Sequence, residues 1–473
     1  MAILVVMMVS ACGSDQTSTA PTATVALTRE PIVAPTSAPA TPVAIVAPSQ
    51  TPAAIPVQLP TSTHTSEPTA APTNAATSQG LSANGPWLVY NTDHGILAAN
   101  ADGAGRKLLT DTTSLRSDLP EGTSSSGSWL ALRTGDNPVE GAATTAQTLM
   151  LSVLHLPDGQ FKTITPLFSP EMDKAIRDAH GDRTEAVEAG IAIAFNRNTM
   201  SWSPDGRYLA FIAAIDGPSS DVYSYDTQTG QIAQLTDGPN QAATLSWSPD
   251  NKWIVHQEVE NFGTGAGWSV KALWAAAPDG SQTRKLYDAP ESTGGENVIG
   301  WRAPDTFDVY SFSEMGPQPP RSVNVNTGAT QPINVDVVKS GQWNDLIWSP
   351  ATQCFYVALY EGGIAGIALD NQVTRFAGES LQPAISPDGK LLAFWGNSAY
   401  GPRDGVRLYS PAGRLIREVT TGPADFVTWR PDGKGLFYVS DRSLYYLPMP
   451  NGQPAAIDEG LEVSAEGGLG WVR

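Results

Sequence analysis

Ser201-Trp202-Ser203-Pro204-Asp205-Gly206-Arg207-Tyr208-Leu209-Ala210-Phe211 holds a strand end, a tight turn and the start of a second strand. Within the turn, Pro pre-sets φ, Asp bonds the backbone ahead of it and Gly accepts positive φ. The Trp closes the strand before the turn, and apolar residues alternate in the strand after it.

This unit recurs. Aligned on the Ser of the turn, its copies start at Ser82, Ser124, Ser203, Ser248, Arg302, Ser349, Ser386 and Arg430. Most lie about 40–50 residues apart, the length of a four-stranded propeller blade. A second signal repeats in phase, a later hairpin turn at Asp102-Gly103, Asp158-Gly159, Thr229-Gly230, Asp279-Gly280, Thr327-Gly328, Asp370-Asn371, Ala412-Gly413 and Asn451-Gly452. Gly or Asn there supplies the left-handed residue of a tight hairpin. The two signals together predict an all-β fold, a β-propeller of eight four-stranded blades over 81–473, with seven blades as the alternative because the first two turns are degenerate.

The ring is expected to close through a split blade. Gly468-Leu469-Gly470-Trp471 reads as an inner strand without its turn, and Ser82-Ala83-Asn84-Gly85 reads as that turn. Pairing the C-terminal strand with Trp87-Leu88-Val89-Tyr90 would hide two sheet edges. The long gap between Ser124 and Ser203 holds Met172, Ile176, Ala179 and Val187 at helix-like spacing, which predicts a helical insertion near 169–190.

The 473 residues carry a formal net charge of -19, which sets the chain against nucleic acid and anionic lipid surfaces. The two cysteines, Cys12 and Cys354, imply no disulfide framework. Ala2–Val9 is an apolar run too short to span a bilayer, and it ends in Val9-Ser10-Ala11-Cys12-Gly13. This resembles a bacterial lipobox, although no Lys or Arg precedes the run. Residues 1–12 are therefore read as a lipoprotein signal with Cys12 as the lipidated residue, and the expected location is extracytoplasmic, on a lipid anchor. Residues 13–80, rich in Pro, Thr, Ala and Ser and without Phe, Trp or Tyr, have too little to bury and are expected to form a disordered stalk.

At its Trp and Ser-Pro-Asp-Gly repeats the chain resembles the TolB-type propellers, over roughly residues 82–473. Such repeats occur in TolB, in the propeller of prolyl oligopeptidases and in bacterial surface lipoproteins. The oligopeptidases join their propeller to an α/β-hydrolase domain. This sequence has no Gly-x-Ser-x-Gly elbow and no residue after Arg473, so the expectation is a protein without peptidase activity.

Candidate chemistry is sparse. The histidines His64, His94, His155, His180 and His256 form no metal-ligand motif. Asp205, Asp250, Asp388 and Asp432 occupy equivalent turns and are read as turn caps. Trp202, Trp247, Trp301, Trp348 and Trp429 share one repeat position and are read as core, whereas Trp268, Trp274 and Trp343 break that register. Counting back three to five residues from each Trp position gives a polar set at the channel mouth: Asp118, Asn198, Glu296, Asn297, Asn344, Asp345, Gln382, Asp425 and Glu466. These are the candidate binding residues, suited to a peptide, a sugar or a hard cation such as Ca²⁺; no other cofactor and no catalytic residue is expected. The leading expectation is a single-copy, non-enzymatic, anchored propeller that binds a protein or peptide. A glycan- or cell-wall-binding lipoprotein and a metal-assisted hydrolase are the alternatives.

Overall fold

Each Trp repeat of the sequence closes the innermost strand of a sheet in the computed structural model. The structure describes most of residues 80–472. Residues 1–79, 82–84, 93–94, 101–104, 112–117, 141–147, 196–197, 262–267, 290–292, 314–315, 334–342, 360–362, 377–382, 397–404 and 460–467, and the single residues 125, 181, 183 and 473, lie outside the description. Cys12 and the expected stalk fall among them.

The described residues form eight antiparallel sheets, and the fold is an eight-bladed β-propeller. Blade 1 is the split one: Leu469–Val472 is its inner strand, followed by Trp87–Thr92, Gly95–Asn100 and Lys107–Thr110. Trp87 pairs with Val472 and Tyr90 with Leu469, as the closure reading requires. Blade 3 comprises Met200–Trp202, Tyr208–Ala213, Asp221–Asp226 and Ile232–Gln234. Blade 4 comprises Gln241–Trp247, Ile254–Asn261, Trp268–Ala276 and Thr283–Asp288. In blade 5, Thr293–Ala303, Thr306–Ser313, Arg321–Asn324 and Thr330–Pro332 are joined by the two-residue strand Gly316–Pro317. Blade 6 runs from Trp343–Ser349 to Val373–Phe376, blade 7 from Pro383–Ile385 to Leu415–Thr420, and blade 8 from Asp425–Trp429 to Ala455–Asp458.

Blade 2 departs from the four-stranded expectation. It has three strands, Trp129–Thr134, Met150–His155 and Gln160–Pro166, and its innermost place holds a helical turn, Asp118–Gly122, and a single bridge from Thr123 to Leu130. This is the blade whose turn reads Ser-Ser-Ser-Gly. Ser124 still accepts from Trp129 N through its hydroxyl at 3.0 Å, so the turn survives without the Pro and Asp.

The repeated Asp residues cap their own turns. Asp205 Oδ1 accepts from Ser203 Oγ at 2.6 Å and from Arg207 N at 3.0 Å, and Asp388 accepts from Ser386 Oγ at 2.8 Å. The repeated Trp does more than fill space. Its indole N–H crosses to the preceding blade and meets the residue just before that blade's own Trp position. Trp247 donates to Ser201 O at 2.9 Å, Trp301 to Ser246 Oγ at 2.9 Å and Trp429 to Ala384 O at 2.8 Å. Trp202 reaches Gly122 O at 2.7 Å, and Trp471 reaches Thr428 Oγ1 at 3.0 Å across the closing seam. A Phe would bury similar area but leave these acceptors without the donor. Three positions lack the clasp: blade 2 has Thr123 at the Trp position, Trp348 Nε1 finds no acceptor, and blade 7 has Ile385 in place of Trp. Apolar packing fills those seams instead: Val89 and Ile96 of blade 1 cluster with Leu130 and Leu132 of blade 2, Tyr310 of blade 5 with Trp348 and Phe355 of blade 6, and Tyr356 and Phe376 of blade 6 with Phe394 and Tyr409 of blade 7.

The helical insertion consists of two helices, Pro170–Asp178 and Glu185–Phe195. Ser169 caps the first, its hydroxyl accepting from Met172 N at 3.1 Å, with Pro170 at the first helical position. Met172, Ile176, Val187 and Ile193 are buried in the same core cluster as the strands of blades 2 and 3. The insertion is part of the packed body.

Candidate functional site

Strand direction fixes which side chains meet. Each inner strand runs from the channel mouth toward the Ser-Pro-Asp-Gly turns, and its neighbours alternate. The starts of first and third strands and the ends of second and outer strands therefore gather on the mouth face. The insertion lies there too, because Glu185–Phe195 directly precedes the inner strand of blade 3.

Glu296 lies in the first half of the inner strand of blade 5 and is fully buried. Its Oε1 accepts from Tyr287 OH at 2.8 Å and its Oε2 from Ser311 Oγ at 2.6 Å, while Arg321 forms an ion pair with it. Arg321 also donates to Ser311 Oγ at 3.0 Å and lies over the Tyr287 ring. Tyr287 ends the outer strand of blade 4, so the network staples two blades at the mouth. Burial pushes the Tyr287 phenol up to about 12, opposed by Arg321. The neighbouring Gln257 donates to the Glu296 carbonyl.

Blade 4 adds Glu258, which accepts from Trp274 Nε1 at 2.6 Å and from Asn240. Blade 3 adds two aspartates. Asp216 accepts from Tyr223 OH and from Gln234 Nε2, each at 2.6 Å. Asp221 is buried and accepts from Thr236 Oγ1 at 2.8 Å and Ser219 Oγ at 3.1 Å. Its desolvation outweighs those bonds, and with Asp216 adding repulsion its carboxyl rises to about 6.

Of the other mouth candidates, Asn198 is exposed with a left-handed φ of 58°, and Asn297 and Asp425 are half-buried at the starts of their strands. Asn344 and Asp345 lie in the inner strand of blade 6 and Asp118 in the helical turn of blade 2, but their side chains lie outside the described ones. Gln382 and Glu466 are outside the described residues altogether. The sequence reading missed Arg321, Tyr287, Ser311, Asp216, Asp221 and Glu258. Counting from third-strand starts, as was done for inner strands, would have found Arg321 and Asp221. Of the Trp residues out of register, Trp274 is half-buried on Glu258, and the side chains of Trp268 and Trp343 lie outside the description. Among the described residues, no three His, Cys, Asp or Glu side chains converge as metal ligands.

His256, in the second strand of blade 4, is buried, and its Nδ1 finds no partner. Burial pulls its pKa down to about 4, with Glu258 pulling the other way. The folded ring is neutral, so this contribution to stability is whole above about pH 6.5 and is lost as pH falls toward 4. Asp221 has the opposite sign. The folded state keeps its proton, so stability falls as pH rises from about 4 to about 6. In that window the two oppose each other. Relative to wild type, His256→Gln should therefore lose stability as pH rises and Asp221→Asn should gain it, each by about 1 kcal/mol per pH unit. Urea midpoints between pH 4.5 and 6 measure both; parallel curves would refute the assignment.

No family model matches the chain. Among curated proteins it is 43% identical over 54 residues to the uncharacterized peptidase YuxL of Bacillus subtilis, a match over 11% of this chain and 8% of that protein. It is 28% identical over 115 residues to the uncharacterized protein Atu1656 of Agrobacterium fabrum, covering 23% of this chain and 36% of the other. The chain thus spans well under half the length of either. Similar solved structures include a prolyl endopeptidase (13% identity, 72% of this chain and 50% of that one, TM-score 0.46) and a puromycin hydrolase (14%, 74% and 55%, 0.44). TolB from Acinetobacter baumannii is another (14%, 82% and 83%, 0.35). These likenesses are to the fold alone. The match to a peptidase corrects the expectation of a non-enzymatic binder. That expectation leaned on a missing serine elbow, which is one way among several of making a nucleophile.

Proposed function

We propose that this chain is a peptidase-like propeller of the TolB-type repeat class, whose ring admits and orients peptides for hydrolysis. The observation that carries this reading is the 43% identity over 54 residues to a peptidase. The mouth face suits the role: Glu258, Asp216 and Asp425 stand there in a chain of net charge -19, which favours a peptide presenting a cationic amino terminus. The purified full chain is expected to release fluorophore from aminoacyl- and dipeptidyl-coumarin amides, with rates that fall as salt screens the attraction. No release above buffer across such a panel would overturn the reading.

We also propose Cys12 as a lipid anchor. Full-length Cys12→Ser is expected to move from the membrane fraction to the soluble fraction, and unchanged partitioning would refute the anchor.

A further inference from the structure

Among the described residues every blade ends in an outer strand with no further strand beyond it, and such edges are normally guarded by shortness, charge or proline. In blades 1, 3, 5, 6 and 8 these strands are three or four residues long. The seven-residue strand of blade 2 ends in Pro166, and the six-residue strand of blade 4 carries Arg284, Lys285 and Asp288. Blade 7 is guarded by neither shortness nor proline, and the two charged residues of its outer strand are engaged within the protein: Arg417 donates to Gly452 O at 2.7 Å and Glu418 pairs with Arg407. Its outer strand Leu415–Thr420 is six residues long, and Leu415 and Ile416 are 49% and 43% exposed. Whereas the other two exposed large hydrophobics among the described residues, Leu108 and Ile232, stand singly in blades 1 and 3, Leu369 and Val373 of blade 6, at 51% and 41%, add to this apolar patch. The two strands adjoin: a Cβ on Gly413, in the turn before Leu415, would lie 3.0 Å from Arg375 O in the outer strand of blade 6.

Charge gives this edge a polarity. Arg375 and Arg414 are exposed and form no ion pair among the described residues, in a chain of net charge -19. Nearby acids are engaged: Glu418 pairs with Arg407 at 3.1 Å, and Asp370 accepts from Gln372 N at 3.1 Å. A free main-chain ladder, apolar side chains and two unpaired guanidiniums together fit one kind of occupant. We propose that the outer edge of blade 7, with the adjoining strand of blade 6, docks an extended partner segment in which carboxylates alternate with apolar residues, added as a fifth strand. The ladder supplies main-chain bonds, the apolar residues cover Leu415 and Ile416, and the carboxylates meet Arg375 and Arg414.

The test uses a fluorescein-labelled decapeptide of alternating Glu and Val, read by anisotropy with the full chain. Saturable binding is expected, at least tenfold weaker for the alternating Lys and Val peptide, for a Glu and Val peptide N-methylated at every second residue, and for Arg375→Glu/Arg414→Glu. Both substituted positions are exposed, and an unchanged thermal midpoint would confirm that the variant folds. No saturable binding of the Glu and Val peptide overturns the proposal. So does binding that survives N-methylation or the charge reversal. Concentration-dependent dimerisation abolished by Ile416→Lys, without peptide binding, would assign the edge to a second copy and overturn it too.

Discussion

Deleting residues 469–473 is expected to abolish the cooperative unfolding transition of the propeller. The loss strips the innermost strand from blade 1 and leaves Trp87–Tyr90 as an unpaired edge facing the channel. It also removes Trp471, which donates to Thr428 Oγ1 and meets the Phe437 ring edge-on at 5.2 Å. Trp471→Ala alone should cost about 3–5 kcal/mol. The seam has a second tie. Tyr90 OH donates to Asp458 Oδ2 at 2.8 Å, and Arg106 pairs with the same carboxylate, joining blade 1 to blade 8. That tie runs from the second strand of blade 1 and the approach to its outer strand to the outer strand of blade 8, and it cannot replace the inner strand. Thermal denaturation followed by near-ultraviolet circular dichroism gives the answer. A truncated domain melting within a few degrees of the intact one would show that closure lies elsewhere.

Arg321→Met should be nearly as damaging. Glu296 has no access to water, so removing its partner strands a buried charge, at a cost of about 3–5 kcal/mol. Tyr287 and Ser311 would still donate to it, but neither neutralises it. Adding Glu296→Gln to Arg321→Met is expected to recover most of the loss, because the buried group is then neutral and still bonded. Urea midpoints of the two singles and the double close the cycle. A single substitution costing under about 1 kcal/mol, typical of a surface pair, would place Glu296 in solvent.

The architecture was legible because its determinants are local. Four consecutive residues make each turn, and a Trp three residues before Asp marks the strand that enters it. Even the degenerate Ser124 turn kept its hydroxyl. The loss of the strand before it left one sign that was passed over, Pro120, which cannot donate to a ladder; the buried Leu119 serves a strand or a helical turn equally well. The mouth was legible only as a position. Counting back from Trp301 located Glu296 correctly along its strand. Its fate was set by Tyr287, Ser311 and Arg321, which come from three other strands in two blades, and no spacing rule links them. The function reading failed for a different reason. It treated a missing serine motif as evidence, although fold and composition leave reaction chemistry open.

The indole clasp has a consequence for how the ring is numbered. The seam between Trp471 and Thr428 uses the same donor and the same position as the seam between Trp247 and Ser201. The blade at which the ring is closed is therefore a detail of chain order and not of mechanics. Trp87 and Val472 are already strand partners, so a short linker can fuse them and the chain can be opened at another blade boundary. A circular permutant of that kind keeps every clasp, and the wheel has no privileged first spoke.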